Sequence, residues 1–146
     1  MKVVVRKAER EDIPRISVLW ALWVRSVDPE KGNPDIDAFV DFQMRIMGLP
    51  EFHYFVAEVD GRMVGFVNDF IDVQPSTGKK IGCSEQLYVL PEFRGSQVGG
   101  MLFRRIVESA KESGAEVLAL QCRPEKKDFW EKKGFTVTRL TLEKDL

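Results

Sequence analysis

Histidine is almost missing from this sequence: His53 is the single one among 146 residues. That excludes a His-rich metal centre and leaves a conventional Ser-His-Asp triad without its usual surroundings. Cysteine is nearly as scarce. Cys83 and Cys122 cannot make a disulfide framework, and their spacing fits no zinc motif, so no metal is expected. An excess of basic charge is lacking too, with 22 Lys and Arg against 23 Asp and Glu and a net charge of −1. Bulk charge therefore argues for neither a nucleic acid nor an anionic membrane as partner. No apolar run approaches the roughly 18 residues that span a bilayer. The opening Met1 to Arg6 is too short and too soon charged for a signal peptide, so a cytoplasmic protein is expected. G-x-S-x-G, the Walker A loop and G-x-G-x-x-G are all absent.

What is present is the composition of a soluble globular chain, 44% hydrophobic and 31% charged, long enough for one domain over 1–146. Val3 to Val5 reads as a first strand. Glu11 to Val27 follows as a helix, with Ile13, Ile16, Leu19, Trp20 and Trp23 at helical spacing. Two prolines and a glycine make Asp28 to Pro34 a loop. Asp35 to Met47 is a second helix, expected to turn Ile36, Phe39, Val40, Met44 and Met47 inward. Phe52 to Val59 and Arg62 to Val73 are strands joined by Asp60-Gly61, a strong hairpin signal because a type I′ turn needs positive φ at both positions. After a loop from Pro75 to Lys80, Ile81 to Leu90 is a strand stopped by Pro91. Gln97 to Ser113 is an amphipathic helix with Gly114 at its C-terminal cap. Glu116 to Cys122 reads as a strand, Glu125 to Lys133 as a helix and Phe135 to Leu142 as a last strand. The order predicts an α/β (α+β) fold: a mixed, mostly antiparallel central sheet with helices on both faces. An antiparallel meander comes first, and a right-handed crossover later joins two parallel strands.

The stretch that carries chemistry runs from Glu85 to Leu102, from a strand through Arg94-Gly95-Ser96-Gln97 into a helix at Val98-Gly99-Gly100. A helix N-terminus leaves backbone N–H groups unpaired and carries partial positive charge. Glycine lets those donors approach an anion, and Arg94 adds a charge that grips phosphate oxygens. The pattern reads as a pyrophosphate cradle at the end of a parallel strand. A turn whose glycines serve only packing would look the same on the loop alone.

The flanks add specificity. Leu87-x-Val89-x-Pro91-x-x-Arg94-Gly95-x-x-Val98-Gly99-x-x-Leu102 resembles the acyl-CoA-binding motif of the GNAT N-acetyltransferase family. Phe129-Trp130-Glu131-Lys132-Lys133-Gly134-Phe135 resembles that family's last helix-to-strand motif, and Val56 to Phe66 looks like its second and third strands. The resemblance covers nearly the whole chain and implies the GNAT acyl-CoA N-acyltransferase fold. It implies acetyl-CoA as co-substrate and transfer of the acetyl group to an amine by direct attack. Backbone groups near Leu87, Tyr88 and Val89 would pair with the pantetheine arm. Arg94, Gly95, Ser96, Gln97, Val98, Gly99 and Gly100 would hold the pyrophosphate, with Trp130 also beside the cofactor. A small-molecule or peptide amine would be the acceptor, and a homodimer is compatible with the family.

Three positions depart from the family pattern. Gln97 stands where glycine is usual. Trp130 replaces the tyrosine that often protonates the departing thiolate, and indole N–H is a donor but no usable acid. A thiol with a pKa near 8.5 can still leave as thiolate. Arg123 occupies a place often held by Asn, either near the cofactor or solvated. An amine resembling lysine costs roughly 4–5 kcal/mol to keep neutral at pH 7, so a general base is expected. Glu85 is the candidate, two residues before Leu87, and alternation puts it on the face of Leu87 and Val89 unless a bulge intervenes. A carboxylate paired with a neighbour is the alternative. Asp28, Glu30, Asp35 and Asp37 would border the acceptor site or simply be solvated. His53, Tyr54 and Tyr88 fit packing better than catalysis, Trp20 and Trp23 should bury against the sheet, and Cys122 reads as a buried inert thiol. A non-catalytic acyl-CoA-binding module and a transferase of longer acyl groups are the competing functions.

Overall fold

The computed structural model describes residues 1–30 and 32–146; Lys31, within the loop expected at Asp28 to Pro34, lies outside the described residues. Five strands form one sheet: β1 (Val3–Lys7), β2 (Phe52–Val59), β3 (Arg62–Val73), β4 (Lys80–Val89) and β5 (Val117–Leu120). They lie in chain order across the sheet, antiparallel from β1 to β4 and parallel between β4 and β5. Among the described residues four α-helices accompany them: α1 (Ile13–Val27), α2 (Ile36–Ile46), α3 (Val98–Glu112) and α4 (Lys127–Glu131).

Local chemistry explains most boundaries. A 3₁₀ turn at Arg10–Asp12 delays α1 to Ile13, where Pro14 fits the first turn because its missing N–H needs no partner. Asp35 caps α2 by accepting from the Ala38 N–H at 2.9 Å. The β2–β3 hairpin turns on Asp60 (φ 49°) and Gly61 (φ 83°), with Val59 opposite Arg62, the geometry expected of a type I′ turn.

The sheet separates two apolar layers. A Cβ placed on Gly65 would meet Leu102 of α3, so this face of β3 looks toward α3. Phe66, Tyr54 and Tyr88 point to the opposite face and stack in sequence under α1, with ring centroids 5.6 and 6.1 Å apart. Trp20 of α1 lies half-buried and stacked on Phe39 of α2 at 4.2 Å. Helices thus cover both faces, as expected.

Two expectations fail. In α2, Phe39 and Met47 are buried and Val40 is half-buried, but Ile36 and Met44 are exposed and the polar Gln43 takes the inward place. The apolar face is narrower than the periodicity suggested. The last strand, Phe135 to Leu142, is not formed, and residues 135–146 have no regular structure. Its apolar residues change parity midway, from Phe135 and Val137 to Leu140 and Leu142, so neither face of a strand would be apolar throughout. Val137, Leu140 and Leu142 are exposed.

Candidate active site

The parallel pairing of β4 with β5 runs only from Ile81–Val117 to Ser84–Leu120. Beyond Ser84 the two strands part, and β4 continues through the unpaired Glu85 to Gln86, Leu87, Tyr88 and Val89, which pair only with β3. Backbone groups of this segment that point away from β3 therefore have no strand beside them. Val89 is an exception, since its carbonyl accepts from Arg94 Nε at 2.9 Å.

After β4 a 3₁₀ turn at Pro91–Phe93 leads to Arg94 and Gly95. Arg94 is anchored by Val89 and by the Tyr88 ring 5.4 Å away, which leaves both Nη groups without a partner among the described residues. Gly95 has φ 74°, a conformation only glycine adopts readily. The Ser96 hydroxyl donates to the Phe93 carbonyl and accepts a long bond from the Val98 N–H at 3.4 Å. Gln97 is in the helical region at φ −73°, ψ −11°, so its side chain introduces no strain, and it is exposed. The backbone N–H groups of Gly95, Ser96, Gln97, Gly99 and Gly100 find no acceptor among the described residues; the ladder of α3 starts with Met101 bonding to Gln97.

The space beside Gly99 and Gly100 is open. Neither has positive φ. A Cβ on Gly99 would meet only Val89 Cγ2 at 3.8 Å, and one on Gly100 only Arg104 Nη1 at 3.7 Å. These are ordinary contacts, so nothing inside the protein requires glycine there, although glycine costs a helix up to about 1 kcal/mol relative to alanine. The open space above unpaired donors is what an anion would use.

Phe103 lies one helical turn beyond Gly99 on the same face of α3. Trp130 packs on it at 5.7 Å and also touches Phe129 and Phe135, half-buried. Glu85 is exposed, and its side chain makes no hydrogen bond or ion pair among the described residues.

The bulge allowed for in sequence is present: Asn68 pairs with Gln86 and Phe70 with Cys83, so Ser84 and Glu85 together oppose Asp69. Simple alternation therefore does not set the direction of Glu85. Ser84 Oγ donates to the Asn68 carbonyl at 2.9 Å, and Asn68 Nδ2 donates to Gln86 Oε1 at 3.0 Å.

Residues 50–137, more than half of the chain, match the acetyltransferase (GNAT) domain. The chain belongs to the GNAT acetyltransferase family. An aminoalkylphosphonate N-acetyltransferase of Salmonella typhimurium is 28% identical over 80% of this chain and 77% of its own. An uncharacterized N-acetyltransferase of Archaeoglobus fulgidus is 42% identical, over under half of either protein (44% and 45%). Among solved structures, glucosamine-6-phosphate N-acetyltransferase from Arabidopsis thaliana superposes with a TM-score of 0.74 at 23% identity, covering 99% of each chain. Ribosomal-protein-alanine N-acetyltransferase from Brucella melitensis gives 0.77 at 19%, covering 99% of this chain and 100% of its own. At these identities the structures speak for the GNAT fold alone.

GNAT enzymes take the acetyl group from acetyl-CoA, and this chain is an N-acetyltransferase by family. Among the described residues no cluster of His, Cys, Asp and Glu could hold a metal, and no helix is long and apolar enough to cross a membrane. Several flanking expectations change. Cys122 is exposed, not buried, because β5 ends at Leu120 and the chain turns outward. Arg123 is not simply solvated: its Nη1 donates to the Val27 carbonyl at the end of α1. Asp35 serves as a helix cap. Tyr54 and Tyr88 are core residues, and burial pushes the Tyr54 hydroxyl well above the ordinary phenol range.

His53 is more than packing. Its Nδ1 lies 2.7 Å from Asp69 Oδ1, and its Nε2 3.4 Å from Ser113 Oγ. Burial pushes the Asp69 carboxyl up, partly offset by His53. Sequence reading missed Asp69, although two consecutive polar residues, Asn68 and Asp69, inside an apolar strand were the available signal.

Proposed function

We propose that this enzyme binds acetyl-CoA with its pyrophosphate on the loop from Arg94 to Gly100 and transfers the acetyl group to an amine by direct attack, with Glu85 as general base. The observation that carries the reading is the set of unpaired N–H groups at Gly95–Gln97 and Gly99–Gly100, beside two glycines that the fold itself does not require. Arg94, already oriented by Val89 and Tyr88, offers its two free Nη groups to phosphate oxygens. The pantetheine arm pairs along Glu85 to Val89, where β4 has lost β5. Trp130 and Phe103 line the side of α3 below Gly99.

Glu85 takes the proton from the attacking amine, and its exposure keeps it open to a substrate. No acid is needed from Trp130, because the thiolate is a tolerable leaving group near neutral pH. The acceptor is a small-molecule or peptide amine. The activities of these relatives suggest the panel to test: 2-aminoethylphosphonate, glucosamine 6-phosphate and a peptide with an N-terminal alanine.

Calorimetric titration with acetyl-CoA tests the cradle. Gly99→Val places methyl groups over the donors and should weaken binding at least tenfold; equal affinity would remove the loop from the site. Glu85→Gln should cut amine-dependent CoA release at least tenfold and flatten the acidic limb of the pH–rate profile. An unchanged profile would end its assignment as base.

A further inference from the structure

Asp69 is hard to explain as a stabilising residue. Its side chain is fully buried, and among the described residues only one of its oxygens is paired: Oδ1 meets His53 Nδ1, while Oδ2 has no hydrogen-bond partner. Oδ2 lies 3.5 Å from where a Cβ on Gly82 would stand, a point that is itself 3.1 Å from Ala110 of α3. The carboxylate is thus wedged between β4 and α3. A buried, half-satisfied carboxylate is costly, and an apolar residue of similar size would usually serve stability as well or better. Some other gain must hold it there.

Its place in the register suggests what that gain is. Asp69 is the residue opposite Ser84 and Glu85, where β4 carries its extra residue. The flanks of the bulge are tied to the neighbouring Asn68, through Ser84 on one side and Gln86 on the other. Behind the bulge, His53 is the cross-strand neighbour of Asp69 on β2 and reaches Ser113, whose hydroxyl donates to the Ser109 carbonyl in the last turn of α3. A chain of contacts therefore runs from the end of α3 through His53 and Asp69 to the bulge. Glu85 has no side-chain partner of its own, so its direction depends on the backbone of the bulge. Relaxing a bulge shifts the alternation and turns a side chain toward the other face.

We propose that Asp69, held by His53, is a positioning residue that fixes the β4 bulge and thereby aims the Glu85 carboxylate. The inference rests on the reading of Glu85 as base. It requires the hydrogen bond to His53, which an asparagine oxygen also accepts, and not the negative charge.

The test is amine-dependent CoA release, using whichever of 2-aminoethylphosphonate, glucosamine 6-phosphate and the peptide with an N-terminal alanine is turned over fastest. Asp69→Leu should lower kcat at least tenfold with KM for acetyl-CoA within twofold, since the cradle on α3 is untouched. Asp69→Asn should stay within threefold of the native kcat. In a Glu85→Gln background, Asp69→Leu should cost almost nothing further, because the two act through one group. Native turnover in Asp69→Leu, an asparagine variant as poor as the leucine one, or an equal loss on top of Glu85→Gln would each overturn the proposal. If Asp69→Leu does not fold, His53→Phe breaks the same bond from β2 and carries the same expectations. Native turnover in Glu85→Gln alone is a different result: it removes the base, and the aiming of Glu85 with it.

Discussion

Asp12 shows how much a single side chain can anchor. It is buried beside the start of α1, accepts from Arg6 at 2.7 and 2.8 Å and from Arg15 at 2.8 Å, and also accepts from the Glu9 N–H at 2.8 Å. Arg6 in turn bonds Glu58 on β2, so β1, β2 and α1 meet at one cluster. The Arg6 hydrogen bond, with those from Glu9 and Arg15, holds the Asp12 carboxyl well below the usual carboxylate range against the opposing effect of burial. A carboxyl depressed in the folded state stabilises it at pH values above the ordinary value near 3.9, and that stabilisation is lost as pH falls through the folded value. Arg6 and Arg15 are 33% and 50% exposed and regain water when Asp12 is removed. Asp12→Asn should therefore cost about 1–3 kcal/mol at neutral pH, less than breaking a fully buried pair. Urea midpoints should show a constant gap from the native protein between pH 5 and 7, shrinking progressively below about pH 4. A gap independent of pH would mean that the charge of Asp12 is not what stabilises the cluster.

At the scale of elements, β3 and β4 leave no room for a side chain at Gly65. A Cβ there would lie 2.7 Å from the Tyr88 carbonyl oxygen and 3.1 Å from Leu102 Cδ1. The first contact is with backbone, so the strands would have to separate at Tyr88 and Val89, within the segment proposed to pair with the pantetheine arm. Gly65→Ala should destabilise the protein by about 1–3 kcal/mol and weaken acetyl-CoA binding as well, measured by urea denaturation and calorimetry on the same preparation. Full retention of both would show that the sheet yields there without cost.

This glycine was not legible in the sequence, because its constraint comes from residues more than 20 positions away. The elements that could be read were those with local causes. The Asp60-Gly61 turn fixed the hairpin register, Pro91 and the Arg94–Gly100 loop marked the end of β4 and the start of α3, and helical spacing located α1 and α3 to within two residues at either end. Where tertiary context decides, the reading ran out. The pattern of α2 did not reveal that Gln43 would face inward. At Phe135 to Leu142 the parity change is present in the sequence, but β-prone composition masks it. The same holds within the candidate site. The residues of the proposed cradle lie together in sequence, whereas Asp69 and His53 meet only across the β2–β3 ladder.

For the whole molecule, the parting of β4 and β5 joins two unequal portions. β1 to β4 share long antiparallel ladders and a buried core, while β5 is held to β4 by four parallel pairs, and Val117 remains 42% exposed. α3 connects the two, and its first turn carries the proposed cradle. A ligand seated on that turn and along Glu85 to Val89 would add contacts at the point where the sheet is narrowest. Binding only to the folded state stabilises it by about 2.7 kcal/mol at a concentration of 100 times Kd. For a chain of this size that is a rise in Tm of about 5–10 °C. Acetyl-CoA should produce such a shift in the native protein and little in Gly99→Val at the same concentration. Amide hydrogen exchange should then locate the gain: protection should increase at Val117–Leu120 as well as at Gly95 to Gly100, because opening β5 away from β4 would disturb the bound arm. A rise in Tm with protection confined to the loop would instead place the pantetheine outside the space between the strands.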